Sequence, residues 1–202
     1  MIVTVAGLKG GTGKTTVAVS LAEAGAERHG TALLVDADPQ GSAMTWAELA
    51  EEAGEPLLSA AVALPTRDLA RRLEAIGAGR YALVVIDTPP GDPRITAAAL
   101  AVADLVLVPA RPTPADMSRL WPTVEAASTA GKPVAVVLSQ VRAATRALAA
   151  AGEVLEAQEQ HVAETAYPQR EAIAACFGRR STGTLSEVAV ALLDEIEKAS
   201  ER

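Results

Sequence analysis

The sequence predicts a doubly wound α/β fold, a mostly parallel sheet with helices on both faces. Three observations lead there. Apolar runs alternate with helix-like segments along the chain, and those runs are apolar at nearly every position, the pattern of strands buried on both faces. A glycine-rich turn joins the first run to the first helix-like stretch. Half of the 202 residues are hydrophobic but aromatics are only 2%, so the core has to be built from Ala, Val, Leu and Ile. A chain of this length can bury a full core, and residues 1–202 read as one domain, with no internal repeat or linker.

The elements follow in order. Ile2–Ala6 is an apolar strand, and Val17–Arg28 a helix that ends at His29 before Gly30. Ala32–Val35 is the second strand, with Ala43–Ala53 the helix after it. A weaker strand at Leu57–Val62 precedes the helix Asp68–Ile76. Ala82–Ile86, Leu105–Val108 and Val134–Leu138 are further strands, followed by helices at Thr96–Val102, Ser118–Ala130 and Thr145–Gln158. Another weak strand is expected near Val162–Thr165. The last helix carries an apolar stripe at Leu185, Val188, Ala189, Leu192, Leu193 and Ile196. Sheets of this type bind ligands beyond the carboxyl ends of their strands, where the polar loops after Ala6, Val35, Ile86, Val108 and Leu138 fall.

The first of those loops carries the strongest chemical signal, Leu8-Lys9-Gly10-Gly11-Thr12-Gly13-Lys14-Thr15-Thr16. Its glycines let the backbone bend so that successive N–H groups converge on phosphate oxygens. The helix opening near Lys14 adds the positive end of its dipole. Lys14 is placed for the β- and γ-phosphates and the Thr15 hydroxyl for Mg²⁺, with Gly10, Gly11, Thr12, Gly13 and Thr16 completing the cradle. Leu8 stands where the G-x-x-x-x-G-K-[ST] pattern has its first glycine, and Lys9 is a second lysine ahead of the turn. Asp87 ends the apolar run Val84-Val85-Ile86, so its carboxylate sits at a rigid strand tip where it can hydrogen-bond a water on Mg²⁺. Asp36 and Asp38 end the second strand, and both can face the phosphates only if the chain bends at Pro39.

The K-G-G-x-G-K-T-T form is the deviant Walker A pattern, and with the carboxylate segments it resembles the ParA/MinD group of P-loop ATPases over almost the whole chain. The resemblance implies a slow, partner-stimulated ATPase that uses ATP/ADP and Mg²⁺ and forms a nucleotide-sandwich homodimer. Lys9 would then project away from its own nucleotide and contact the phosphates bound by the facing subunit. Asp36 would support the Mg²⁺ shell with Thr15 and Asp87, and Asp38 would orient the attacking water. Val108-Pro109-Ala110-Arg111-Pro112-Thr113-Pro114-Ala115-Asp116 resembles the proline-containing loop of small ParF-type members, which implies that Pro112 and Asp116 lie near the nucleotide and the dimer interface. Glu164 to Ala172, followed by Gly178, resembles the family's T-x-I-x-x-R…G region, with Ala166 and Tyr167 departing from it. The phosphate loop begins at once, without a helix-turn-helix extension, as in the short ParA type.

That type implies ATP-dependent binding to nonspecific DNA, a cytoplasmic and nucleoid-associated location, and a ParB-like centromere-binding or adaptor partner. Arg170, Arg179, Arg180 and Lys198 are the candidate DNA face, which Arg142 and Arg146 would extend. The formal net charge of −7 excludes a chain that is basic all over but not a local basic patch. The alternatives are a MinD-like membrane-cycling regulator and a metabolic synthase of the same fold. Against the first, the polar face of the last helix carries Glu187, Asp194, Glu195 and Glu197, which anionic lipid repels, so no membrane partner is expected. Against the second, no polar cluster stands out beyond the nucleotide site. The single cysteine, Cys176, excludes a disulfide framework or a multi-cysteine metal site within one chain.

Overall fold

The computed structural model describes residues 1–200. The six strands of the described residues form one parallel sheet: β1 (Ile2–Val5), β2 (Ala32–Asp36), β3 (Ala60–Ala63), β4 (Leu83–Asp87), β5 (Leu105–Ala110) and β6 (Val134–Leu138), in the spatial order β3-β2-β4-β1-β5-β6. Around it lie α1 (Lys14–His29), α2 (Ser42–Glu52), α3 (Leu69–Ala75), α4 (Pro93–Val102), α5 (Pro114–Thr129), α6 (Arg146–Ala157), α7 (Glu171–Ala174) and α8 (Thr184–Ser200). The expected doubly wound α/β sheet is present, and every ladder in it is parallel.

The helices divide between the two faces because each strand is apolar on both. Val3, Val5, Leu34, Leu83, Val85 and Leu107 pack under α1, α2 and α8. Val106, Val108 and Val136 pack under α5 and α6, while Leu33, Val35, Val84 and Ile86 pack under α3 and α4. The stripe on α8 is core: Leu185, Ala189, Leu192, Leu193 and Ile196 are buried in the cluster that contains α1. At the far end of that contact, Arg28 and His29 pair with Glu197 at 2.7 Å.

Helix starts follow local chemistry. Gly13, at φ 87, releases the chain into α1. Asp92 caps α4 by accepting from Arg94 and Ile95 N–H ahead of Pro93, and Thr113 caps α5 by accepting from Asp116 N–H ahead of Pro114. Both helices therefore begin three to four residues before the expected Thr96 and Ser118.

The expected strand at Val162–Thr165 does not form. Val162 makes one isolated bridge to Val136, where Ala163 N–H donates to Val136 O at 2.9 Å. Thr165 N–H, the next donor in that alternation, goes with Glu164 N–H to the Glu195 carboxylate, at 3.1 and 2.7 Å. Leu138 O is met by Tyr167 N–H instead, so the regular ladder stops. The weak strand expected at Leu57–Val62 is real but begins at Ala60, because the Leu58 and Ser59 N–H groups are taken by Glu23 on α1.

Candidate nucleotide site

Parallel pairing sets Val5 opposite Asp87 and Asp36 opposite Asp87. The tips of β1, β2 and β4 therefore meet where the glycine-rich loop leaves β1. Gly10, Gly11, Gly13, Lys14, Thr15, Thr16 and Asp38 line one cleft of about 470 Å³ there, together with Gln40, Trp46, Pro90, Gln140 and Phe177. Gly11 and Gly13 both have positive φ, 74° and 87°, the left-handed turns that a phosphate-cradling loop requires ahead of α1.

The charges in the cleft are held under tension by burial. Asp87 is 1% exposed, and burial, with Asp36 and Asp38 nearby, pushes its carboxyl up to about 7 against the opposing bond from Thr15. Thr15 Oγ1 donates to Asp87 Oδ2 at 2.7 Å, while Asp87 Oδ1 is buried without a hydrogen-bond partner among the described residues. Burial lowers the Lys14 ammonium below its ordinary range, with Asp87 and Asp38 pulling the other way. A hydroxyl beside a carboxylate that keeps one oxygen uncommitted is a hard-oxygen donor set, and it fits Mg²⁺.

Asp36 and Asp38 are both at the cleft but are used differently. Asp36 is buried, and its two oxygens accept from Asp38 N–H at 3.0 Å and Met44 N–H at 2.9 Å, so it ties the loop to the start of α2. Burial raises its carboxyl despite those bonds. Asp38 lines the cleft itself, one oxygen accepting from Gln40 N–H at 2.9 Å.

Lys9 points elsewhere. Its ammonium pairs with Asp116 Oδ1 at 2.7 Å, and only its carbonyl meets the cleft lysine, accepting from Lys14 Nζ at 2.9 Å. Asp116 and Pro112 are not among the residues lining the phosphate cleft; Asp116 is buried in the first turn of α5. The candidate basic residues divide as well. Arg142 bonds Gln169 and Arg170 bonds Thr184, whereas Arg180 donates twice to the Pro56 carbonyl, at 3.1 and 2.7 Å. Lys198 sits in the last turn of α8, beside a hollow it shares with Asp194 and Glu195.

Other contributors were not evident in the sequence. Ser139 Oγ donates to Thr12 O at 2.7 Å and Gln140 Nε2 to Gly11 O at 2.8 Å, so the end of β6 braces the phosphate loop from behind. The only sign of this was that a polar loop follows Leu138. A second cavity of about 250 Å³ opens from the same place, sharing Gly13, Thr16 and Gln140 with the cleft and continuing to Tyr167, Pro168, Gln169 and Ile173. Trp46, on the helix after the Asp36–Asp38 segment, packs on Phe177 with ring centroids 5.2 Å apart and donates to Arg179 O at 2.7 Å.

A parallel sheet carrying a phosphate loop at its first strand tip and a magnesium-type carboxylate at an adjacent tip defines a P-loop nucleotide-binding protein. Residues 3–182 match the family model of the CobQ/CobB/MinD/ParA nucleotide binding domain, and the chain belongs to this family of P-loop ATPases. It is 43% identical over 160 residues to the maintenance of carboxysome distribution protein A of Gloeobacter kilaueensis, covering 78% of this chain and 68% of that one. It is 36% identical over 146 residues to the chromosome partitioning protein ParA of Caulobacter vibrioides, covering 54% and 55%. The cell division ATPase MinD of Pyrococcus furiosus shares the fold with a TM-score of 0.78 at 20% identity, covering 98% of each chain. The structure of apo McdA from Cyanothece does so with a TM-score of 0.74 at 18% identity, covering 99% of each.

Proposed function

We propose that this chain is a single-domain, ParA-type ATPase that dimerises around ATP, binds nonspecific DNA in that state, and positions a cargo with the help of a ParB-like or adaptor partner. The observation that carries the reading is the pair of lysines. Lys14 faces the phosphate cleft, whereas Lys9, four residues from Gly13 in the same loop, turns its ammonium out of it. A cation held outside its own site, here on Asp116, is one that phosphates on a facing copy can draw across.

In this reading Lys14 and the loop N–H groups bind the β- and γ-phosphates, and Asp38 holds the attacking water. Thr15 and Asp87 would hold Mg²⁺, with Asp36 fixing the loop behind them; the ion would neutralise charge on the phosphate oxygens. The cavity running from Thr16 to Pro168 takes the base. Loss of the terminal phosphate then removes what Lys9 grips, and the copies part. Relatives named for carboxysome distribution, at 43% and 33% identity, favour a protein compartment over a plasmid as cargo. Among the described residues no helix is long and apolar enough to cross a membrane, and the buried stripe of α8 leaves that helix no apolar face for lipid.

The test is retention on nonspecific DNA and on anionic liposomes, with ATP against ADP. Retention on DNA in ATP alone is expected, with Lys9→Ala losing both it and the ATP dimer. Liposome retention, or an unchanged Lys9→Ala dimer, would overturn the reading.

A further inference from the structure

Lys9 is fastened at two points. Its carbonyl accepts from Lys14 Nζ at 2.9 Å, with Thr12 Oγ1 a longer donor at 3.4 Å. Its ammonium sits 2.7 Å from Asp116 Oδ1, in a pair whose carboxylate is 1% exposed and whose lysine is 25% exposed. The other Asp116 oxygen accepts from Arg111 Nε at 2.9 Å and Thr113 Oγ1 at 2.6 Å. Burial alone would raise this carboxyl, but the bonds from Lys9, Thr113 and Arg111 hold it below the usual range.

We propose that Asp116 is a positioning residue that parks Lys9 in the monomer, and that phosphates on the two copies release it in sequence. The proposal rests on the reading of Lys9 as a contact across the dimer. Phosphate in the cleft draws the Lys14 ammonium, which can no longer serve the Lys9 carbonyl, so the backbone of the parked lysine loosens. The facing copy's terminal phosphate, more highly charged than a carboxylate, then competes with Asp116 for the ammonium. Removing one partner of a buried ion pair ordinarily strands the other charge. Here Arg111 and Thr113 stay on the other oxygen of Asp116, so its charge remains paired when Lys9 leaves. The cost falls to that of one unpartnered buried oxygen, Oδ1. The latch sets a threshold against dimerisation, and its strength depends on Arg111: the better Arg111 satisfies Asp116, the more readily Lys9 departs. Asp116 is not needed as the helix cap, since Thr113 already accepts its N–H.

The dimer dissociation constant, measured by sedimentation velocity with a Mg²⁺-bound non-hydrolysable ATP analogue, tests this. Asp116→Asn should tighten the dimer about tenfold, roughly threefold for each of two latches. Arg111→Ala should weaken it several-fold, because Asp116 then grips Lys9 harder, and Lys9→Ala should abolish it with or without Asp116→Asn. A purely structural role for Asp116 would not give a gain in one variant and a loss in the other. If Lys9→Ala abolishes the dimer but Asp116→Asn leaves it unchanged or weaker, the latch is overturned and the trans reading stands. If Lys9→Ala dimerises normally, the trans reading itself fails. Should Asp116→Asn not fold, Arg111→Ala alone decides: a dimer as tight as the parent's, or tighter, overturns the latch.

Discussion

Asp87 shows at the scale of one residue how this site sets function against stability. A carboxyl ordinarily near 3.8 is held at about 7 in the fold because it is buried beside Asp36 with one oxygen unpartnered. Its protonated form is favoured by folding, so the stability it contributes is complete below about pH 4 and is lost as pH rises through 7. Asp87→Asn, which keeps an acceptor for Thr15 but carries no charge, escapes that loss. Without nucleotide the variant should melt at nearly the same temperature as the parent near pH 4 and several degrees higher at pH 8, from a difference of at most about 4 kcal/mol. Scanning calorimetry checks it, and a melting difference that stays constant from pH 4 to 8 would show that Asp87 does not carry this burden. Asp87 was legible in the sequence because its signal is local, an apolar run ending in an acid. The partners that brace the loop were not: Ser139 lies 127 positions from Thr12 and Gln140 129 from Gly11, so no window along the chain contains both ends of either bond.

Among the elements, α1 connects the phosphate loop to the sheet, and its fit depends on Gly25. A methyl group there would stand 2.5 Å from Leu83 Cδ2 and 3.2 Å from Leu83 Cβ, and Leu83 on β4 is 1% exposed and cannot swing away. Helix propensity favours Gly25→Ala by about 1 kcal/mol, but overpacking costs about 1–3 kcal/mol, so a net loss of roughly 1 kcal/mol is expected. Adding Leu83→Ala should make the Gly25→Ala change neutral or favourable in a double-mutant cycle of urea denaturation, where additive effects would argue against the contact. The same helix shows why strand boundaries were harder to read than strand identities. The five strongly apolar strands were legible because their burial on both faces writes hydrophobicity at every position. The beginning of β3 and the failure of Val162–Thr165 were not, since in each case a distant carboxylate, Glu23 or Glu195, takes the N–H groups that a ladder would use. Helix starts at Pro93 and Pro114 were in principle legible from Asp92 and Thr113, whose caps extend α4 and α5 beyond the apolar pattern.

On the scale of the whole molecule, a chain with a net charge of −7 can hold DNA only through a local concentration of arginine, and the fold decides which arginines can cooperate. The bridge between Val141 and Pro168 brings Arg142 and Arg170 to neighbouring segments, with Arg142 bonded to Gln169. Thr145 accepts nothing from Arg142 but donates to its carbonyl at 3.1 Å, which sets exposed Arg146 beside it at the start of α6. Arg180 is committed to the Pro56 carbonyl. Lys198 stands near the far end of α8, about 21 Å along the helix from Thr184, the partner of Arg170, and beside Asp194 and Glu195. The arginines brought together to track phosphates are therefore Arg142, Arg146 and Arg170, doubled by dimerisation. Arg179 is exposed next to Arg180 on another segment, its carbonyl held by Trp46, and Lys198 lies apart. About six phosphate contacts give a slope near −5 in log affinity against log salt. In the ATP state, Arg146→Glu should weaken binding to nonspecific duplex at least tenfold at low salt and make the slope shallower by about two, because each dimer loses two contacts. Lys198→Glu should leave affinity within about twofold and the slope unchanged. Fluorescence anisotropy over a salt series measures both, and a loss that follows Lys198 rather than Arg146 would place the DNA on the opposite side of the molecule.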